Sequence, residues 1–381
     1  MKIAYLSTFY PFRGGIAQFN ARLLKALSRY AEVTAFTFKR QYPSLLFPGK
    51  SQYVQEGDNP EKVNSIPLLD TINPFSYFKT AKIIRKYNPD ITITKYWMPF
   101  FAPSLGYVLR KLKKTSFNVS ILDNVEPHEN FPFSPTLTKF FLTQNHLLIV
   151  MSEAVEKDLL KIFPEARYIR LQHPLYDNFG NKVDKQEARI QLGLPLDKKI
   201  LLFFGFIREY KGLDILLESL SLLPNEYHLV VAGEPYTNFE KYSKMIQSNN
   251  LSERISLFVR FIAEQEVPLF FSSADVCVLP YKSATQSGIV GIAYNFDLPV
   301  IASSAGGLAE MITPFGSGLV VEKCTPQNLA NAIVRFFSMD RENFISGINK
   351  YKAIANWDYF AKKIIDEYNF FVSSKTKSNF A

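Results

Sequence analysis

Short apolar runs alternate along almost the whole chain with longer stretches whose apolar residues recur every third or fourth position. Ile3 to Ser7 read as a strand. Ala17 to Arg29 carry Phe19, Leu23, Leu24 and Leu27 on one helical face, and Val33 to Phe38 read as the next strand. A strand–helix–strand unit of this kind predicts a parallel sheet with right-handed crossovers. Further strands are expected at Ile91 to Thr94, Ser116 to Leu122, Leu147 to Met151 and Tyr168 to Leu171, with a helix over Tyr77 to Tyr87. Between His173 and Lys199 the periodicity fades and Pro174, Asn178, Gly180 and Asn181 act as breakers. A second alternation follows, with strands at Ile200 to Phe204, Tyr227 to Ala232, Ile255 to Val259, Asp275 to Pro280, Pro299 to Ala302 and Gly318 to Val321. The tail from Trp357 to Phe371 returns to helical spacing. The expected class is therefore α/β with two doubly wound domains: residues 1–175, a linker over 176–198, and residues 199–356, followed by a C-terminal helix over 357–372.

Length agrees with that division, since 381 residues exceed what one hydrophobic core usually organises. The hydrophobic share of 47% against 21% charged residues places the chain among globular proteins. A net charge of +9 favours anionic partners: a nucleoside diphosphate, an anionic membrane surface or nucleic acid. Aromatic residues make up 15%, enough to leave some rings at the surface beside basic residues. Three basic, aromatic stretches, Lys79 to Tyr87, Tyr96 to Phe101 and Arg110 to Lys114, are candidate acceptor or membrane contacts, or plain surface helices. Only Cys277 and Cys324 are present, which excludes a disulfide framework and points to a reducing compartment. No apolar run approaches the roughly 20 residues of a membrane-spanning helix, so any membrane contact is expected to be peripheral.

Candidate chemistry gathers where strands end. Phe204-Gly205-Phe206-Ile207-Arg208-Glu209-Tyr210-Lys211-Gly212 follows an apolar strand and precedes a helix, which puts Arg208 and Lys211 at the carboxyl edge of a parallel sheet. A guanidinium fork and a compact ammonium together suit a diphosphate; the alternative is a solvated basic turn. The loop Tyr281 to Ile289 opens another helix with Gln286, Ser287 and Gly288, either a phosphate cradle or ordinary helix capping. After the first strand come Gly14 and Gly15, a close-approach loop or a tight turn. Asp123 to Asn130 follow another strand end, with His128 placed to hydrogen-bond a polar substrate and Glu129 to orient it; an incidental loop histidine is the alternative. The dinucleotide-binding glycine pattern, D-x-D, the P-loop and the nucleophile elbow are all missing, as are His, Asp and Glu at metal-ligand spacing.

With these residues in view, the chain resembles the large group of retaining GT-B fold glycosyltransferases (family 4-like, "group 1"). The resemblance runs through Gly14-Gly15, the His128 loop, "FGFIREYKGLDILLESL", "VVAGE" at Val230 to Glu234, "ADVCVLPY" at Ala274 to Tyr281, "PVIASSAGGLAEMI" at Pro299 to Ile312 and the ending "NWDYFAKKIIDEY". It implies two Rossmann-like domains facing across a cleft, with the last helix crossing back to the first domain. It also implies that Arg208 and Lys211 hold the donor diphosphate and stabilise the leaving group. Gly14 and Gly15 would line the donor site, His128 would touch the transferred sugar, and the backbone at Ile262 would meet the base.

One departure is plain. Many members carry two glutamates eight residues apart before "PVIA", and here the corresponding positions are Ala284 and Ile292. Donor recognition is then expected from Gln286, Ser287 and the backbone at Gly288 and Ile289. The resulting expectation is a retaining enzyme without metal or cofactor. It would move a sugar from a nucleotide-diphosphate sugar to a surface glycan or glycolipid, in the cytoplasm or peripheral on its membrane, with no nucleic-acid partner. The rival expectations are an epimerase or phosphorylase on the same fold and a non-catalytic nucleotide-binding scaffold.

Overall fold

The computed structural model describes residues 1–43, 52–54, 61–125, 134–175, 179–235, 238–284 and 288–378. The chain divides into two compact units, Met1–Pro174 with Ala355–Ala381, and Leu175–Ile354. The first unit contains β1 (Lys2–Leu6), α1 (Gly15–Leu27), β2 (Glu32–Arg40), β3 (Ser65–Asp70), α2 (Pro74–Tyr87), β4 (Ile91–Tyr96), α3 (Ala102–Leu112), β5 (Phe117–Leu122), α4 (Ser134–Leu142), β6 (Leu147–Val150), α5 (Glu153–Ile162) and β7 (Tyr168–Arg170). The second contains α6 (Lys185–Gln191), β8 (Lys199–Phe204), α7 (Leu213–Ser221), β9 (Tyr227–Ala232), α8 (Glu240–Ser248), β10 (Ile255–Phe258), α9 (Val267–Ser273), β11 (Val276–Leu279), α10 (Gly288–Asn295), β12 (Val300–Ser303), α11 (Leu308–Ile312), β13 (Gly318–Val321), α12 (Pro326–Ser338) and α13 (Arg341–Ile354). The last helix, α14 (Trp357–Ser378), belongs to the first unit and packs on α1.

Both sheets are parallel throughout, in the orders β3-β2-β1-β4-β5-β6-β7 and β10-β9-β8-β11-β12-β13. Helices cover both faces of the first sheet, which is why its central strands read as continuous apolar runs. On one face Ile3, Tyr5, Ile93, Val119 and Ile149 meet Phe19 and Leu23 of α1 and Phe360 and Ile364 of α14. Alternate residues of the same strands, Ala4, Leu6, Leu122 and Val150, meet α2, α3 and α4 through Ile84, Leu105, Leu109 and Phe141. In the second unit Leu201, Phe203, Leu229, Val231 and Val278 pack beneath Leu216, Leu220, Ile246 and Ile333.

Three differences from the sequence reading have physical causes. Strand β3 was not expected, because Pro67 interrupts a short polar-edged run. The strand sits at the edge of the sheet, where a missing N–H costs no ladder bond. The stretch Tyr96 to Phe101 is no interfacial surface: Tyr96, Trp97 and Phe101 are buried in the core beside Phe38. Helix α1 starts at Gly15 rather than Ala17, and α14 continues past residue 372 to Ser378.

The short helix α6 is pinned to the second unit by charge. Arg189, buried, donates to the Asp275 carboxylate at 2.9 Å and to the Ser273 carbonyl at 3.0 Å, while the Ile200 N–H donates to the same carboxylate at 2.7 Å. Lys185 completes the cluster at Asp275.

Candidate functional site

The second sheet reverses its winding between β8 and β11: β9 and β10 lie on one side, β12 and β13 on the other. Connections therefore leave β8 and β11 in opposite senses and open a crevice at their carboxyl ends, the place where doubly wound sheets take ligands. The Arg208–Lys211 turn leaves β8, and the loop toward Gly288 leaves β11.

Backbone pairing shapes the turn after β8. The Gly205 N–H donates to the Ala232 carbonyl at 2.9 Å and the Ile207 N–H to the Glu234 carbonyl at 2.8 Å, extending the ladder beyond the strand. Arg208 then leads into a 3-10 turn over Glu209–Lys211, ended by Gly212 at φ 71°. A side chain at Gly212 is excluded twice over, because a Cβ there would also lie 2.0 Å from the Pro280 carbonyl oxygen. Gly205 is the floor on which both loops meet: a Cβ on it would stand 3.1 Å from Lys211 Nζ and 3.3 Å from Ile289 Cδ1.

Lys211 is only 8% exposed and lies 5.7 Å from the Tyr281 ring centroid. Burial, and after it the neighbouring Arg208 charge, lower its ammonium from the ordinary lysine value to about 8. Cys277 beneath it is pushed up to about 12 by burial, so it stays a thiol. Two cations in a partly desolvated crevice at a sheet's carboxyl edge are arranged to hold a polyanion.

Residues that the sequence did not single out hold the two loops together. The Lys282 N–H donates to the Tyr210 carbonyl at 2.7 Å, and Lys282 Nζ reaches Asp214 Oδ2 at 2.7 Å. Asp214 opens α7, so this pair ties the loop after β11 to the helix after β8. The available signal was an acid in the first turn of a helix that follows a basic turn, but its partner lies 68 residues away.

Gly288 is the first residue of α10 and nothing would crowd a Cβ there; Ile289 is half-buried. Gln286 and Ser287 lie outside the described residues. Ala284 and Ile292 are both half-buried, so two apolar side chains stand at the positions where the resemblance implies carboxylates. Ile262 is nearly buried in the segment after β10, two strands from β8 and on the same carboxyl edge. Arg260 and Glu266 brace that segment at 2.8 Å, with Glu266 also accepting from the Ala263 N–H at 3.1 Å.

In the first unit the winding reverses between β1 and β4, and Gly14-Gly15 follows β1. Gly14 sits at φ 103° as the residue before α1, which leaves the N–H groups of the first helical turn open. Below this edge Lys95 is buried, 2.7 Å from Asp123 and 3.5 Å from the Phe19 ring centroid. Burial lowers the Lys95 pKa and Asp123 opposes that shift. Burial and then the Lys95 charge hold His173 at about 4, so its imidazole is neutral at physiological pH. His128 and Glu129 lie outside the described residues. His146 accepts from the Asn118 N–H at 2.9 Å, and His228 is bonded to Ser256 at 2.9 Å, both within their sheets. Among the described residues no group of three or more His, Cys, Asp or Glu is placed to hold a metal ion.

Residues 184–352 match the family model "Glycosyl transferases group 1". The chain is 24% identical over 245 residues to a D-inositol 3-phosphate glycosyltransferase of Nocardioides sp., covering 58% of this chain and 53% of that protein. Several further proteins of that name match over similar lengths, so the chain spans about half the length of the curated relatives it matches. Among solved structures, the sucrose-phosphate synthase of Thermosynechococcus elongatus superposes over 98% of this chain and 100% of its own, with TM-score 0.65 and 20% identity. Anabaena HepE in complex with UDP superposes over the same shares, with TM-score 0.65 and 17% identity.

Proposed function

We propose that this chain, whose residues 184–352 match the group 1 glycosyl transferases and whose parallel α/β sheets are of the GT-B type, transfers a sugar from a nucleoside diphosphate sugar to a glycan or lipid-linked acceptor. The observation that carries this reading is the convergence of Arg208 and Lys211 on the winding reversal between β8 and β11. There they meet the developing charge of a departing nucleoside diphosphate, and preorganised cations of this kind are worth about two to three orders of magnitude each in rate. Neutralisation by side chains makes the reaction metal-independent. The donor phosphate, held on the same face as the incoming hydroxyl, takes the acceptor proton, so the configuration at the sugar is retained without a protein nucleophile. UDP is the first nucleotide to try, since the Anabaena neighbour was solved with it.

The test has two stages. A nucleotide that binds the native state, among UDP, GDP and ADP, stabilises it by about 3 kcal/mol at a hundredfold excess over the dissociation constant and so raises the thermal midpoint. Absence of a shift with all three removes the donor site. Arg208→Ala and Lys211→Ala then separate an enzyme from a binding scaffold, the reading that Ala284 and Ile292 favour. The enzyme loses turnover by about a hundredfold or more; a scaffold has no turnover to lose and shows weakened nucleotide affinity alone.

A further inference from the structure

Helices α2 and α3 of the first unit present an outward face that is cationic and tipped with exposed aromatic rings. Helix α2 buries Tyr77, Thr80, Ala81 and Ile84 and turns Phe75, Phe78, Lys79, Lys82 and Lys86 outward, at the spacing of one helical stripe. Phe75 is 84% exposed, Phe78 58%, and Ile72 just before the helix 48%. The face continues onto α3: Tyr107 packs on Phe78 at 4.8 Å, Lys111 lies over Tyr107, and the Arg85 guanidinium donates to the Lys111 carbonyl. Arg110, Lys111 and Lys114 extend it.

Two features separate this face from an ordinary solvated surface. Helices α2, α3 and α4 contain no Asp or Glu, and Lys79, Lys82, Lys86, Arg110, Lys111 and Lys114 form no ion pair among the described residues. On the α14 side of the same sheet, by contrast, Arg29, Lys362 and Arg167 are all paired, with Asp358 and Glu367. Interleaved signs are what a freely solvated surface carries; a field of one sign attracts a polyanionic surface. The rings decide which one. Phe75, Phe78 and Ile72 offer no hydrogen bond and gain only by leaving water, and a lipid headgroup boundary beside anionic phosphates provides that together with the charge.

We infer that this face docks the protein onto an anionic lipid bilayer, with Phe75 and Phe78 inserted at the headgroup level and the α2 and α3 lysines against lipid phosphates. Helix α2 begins at the carboxyl end of β3, so its rings lie at the sheet edge that also carries Gly14 and Gly15. Docking in this orientation brings that edge to the membrane, where a lipid-linked acceptor is presented. Only this last consequence rests on the transferase reading; the docking itself requires no nucleotide.

The experiment is co-sedimentation of the full chain, without nucleotide, with vesicles of phosphatidylcholine alone and of phosphatidylcholine mixed with phosphatidylglycerol. The wild type is expected to bind the mixed vesicles and not the neutral ones. The set Lys79→Glu, Lys82→Glu and Lys86→Glu loses at least about a hundredfold in partitioning. Phe75→Ser with Phe78→Ser loses about tenfold and, with it, the binding that survives raised salt. A control set of equal charge change on the second unit, Lys244→Glu, Lys323→Glu and Lys350→Glu, stays within about twofold of wild type. Should the first set fail to fold, the three Lys→Gln changes carry the same test. Equal loss in the control set, equal binding to neutral vesicles, no binding to the mixed vesicles, or tighter binding of a short DNA duplex than of the mixed vesicles each overturns the inference. A nucleotide-induced thermal shift, measured separately, reports on the donor site alone, so docking and transfer fail independently.

Discussion

Nucleoside diphosphate binding at the turn after β8 should take up a proton once the solution passes the Lys211 value. Burial and the Arg208 charge lower that ammonium to about 8, a depression that disfavours the charged form by roughly 3 kcal/mol. A diphosphate beside both cations reverses the Arg208 repulsion and supplies the missing countercharge, so the bound-state value moves back up. Below about pH 7 the lysine is charged with or without ligand and affinity is flat; above about pH 8 the dissociation constant should rise toward tenfold per pH unit. The stability of the unliganded protein must move the other way. Between about 8 and the ordinary lysine value the unfolded chain binds more protons, so stability rises with pH across the window in which affinity falls. Calorimetric titration of UDP in buffers of different ionisation enthalpy, from about pH 7 to about pH 9.5, reads the proton directly. Lys211→Arg should abolish the slope while keeping most of the affinity, because a guanidinium stays charged throughout. A dissociation constant independent of pH, proton release on binding, or an unchanged slope in Lys211→Arg would rule out Lys211 as the group that takes up the proton.

Gly212→Ala should lower both stability and UDP affinity, since φ 71° costs a non-glycine residue about 1–3 kcal/mol and the new Cβ would press on the Pro280 carbonyl; thermal unfolding and UDP titration check it. Asp275→Asn leaves buried Arg189 without its carboxylate, and breaking such a pair typically costs about 3–5 kcal/mol, to be read as a lowered denaturation midpoint with no change in the far-UV spectrum of the folded state. Burial, then the charges of Arg254 and Lys198, hold His228 at about 4, below its ordinary value. The unfolded state therefore binds more protons between about pH 6.5 and about pH 4, and stability falls as pH drops through that window. His228→Asn should flatten this acid slope by up to roughly 3 kcal/mol, and an unchanged pH profile in urea denaturation would contradict it.

Most of the fold was legible because both sheets are built from buried parallel strands, whose apolar runs stand out against amphipathic helices. Strand β3 was hidden by Pro67, a residue that only an edge position tolerates, and edge position is a property of the finished sheet. The aromatic stretch over 96–101 misled for the opposite reason: rings near a lysine resemble an interface until the direction of β4 and α3 turns them into the core. In the candidate site, Arg208 and Lys211 could be read because a strand precedes them and a glycine follows. Lys282–Asp214, Lys95–Asp123 and Arg189–Asp275 could not, since each pair joins segments distant in sequence and exists only once strands lie side by side. The outward face of α2 is half visible in the sequence: the basic stretch from Lys79 stands out there, whereas Phe75 and Phe78 acquire meaning only from the burial of Tyr77 and Ile84 opposite them.

Ala284 and Ile292 and the lowered Lys211 describe one electrostatic situation from two sides. Ile289 reaches the Gly205 floor beside Lys211, and a carboxylate one helical turn further along α10, at residue 292, would act to hold the Lys211 ammonium up. With an isoleucine there, the side-chain charge that chiefly acts on Lys211 among the described residues is the like charge of Arg208, and the ammonium is largely withdrawn from water. Such an arrangement is unfavourable on its own and becomes favourable when an anion arrives, so it favours a diphosphate over neutral parts of a ligand. On the proposed transferase reading, binding and leaving-group stabilisation would be concentrated on the phosphates beside Arg208 and Lys211, next to the loop start that Lys282 ties to Asp214. On that reading a chain without the paired glutamates can keep the cationic half of the site, because only the phosphate half of a donor would need its charge neutralised.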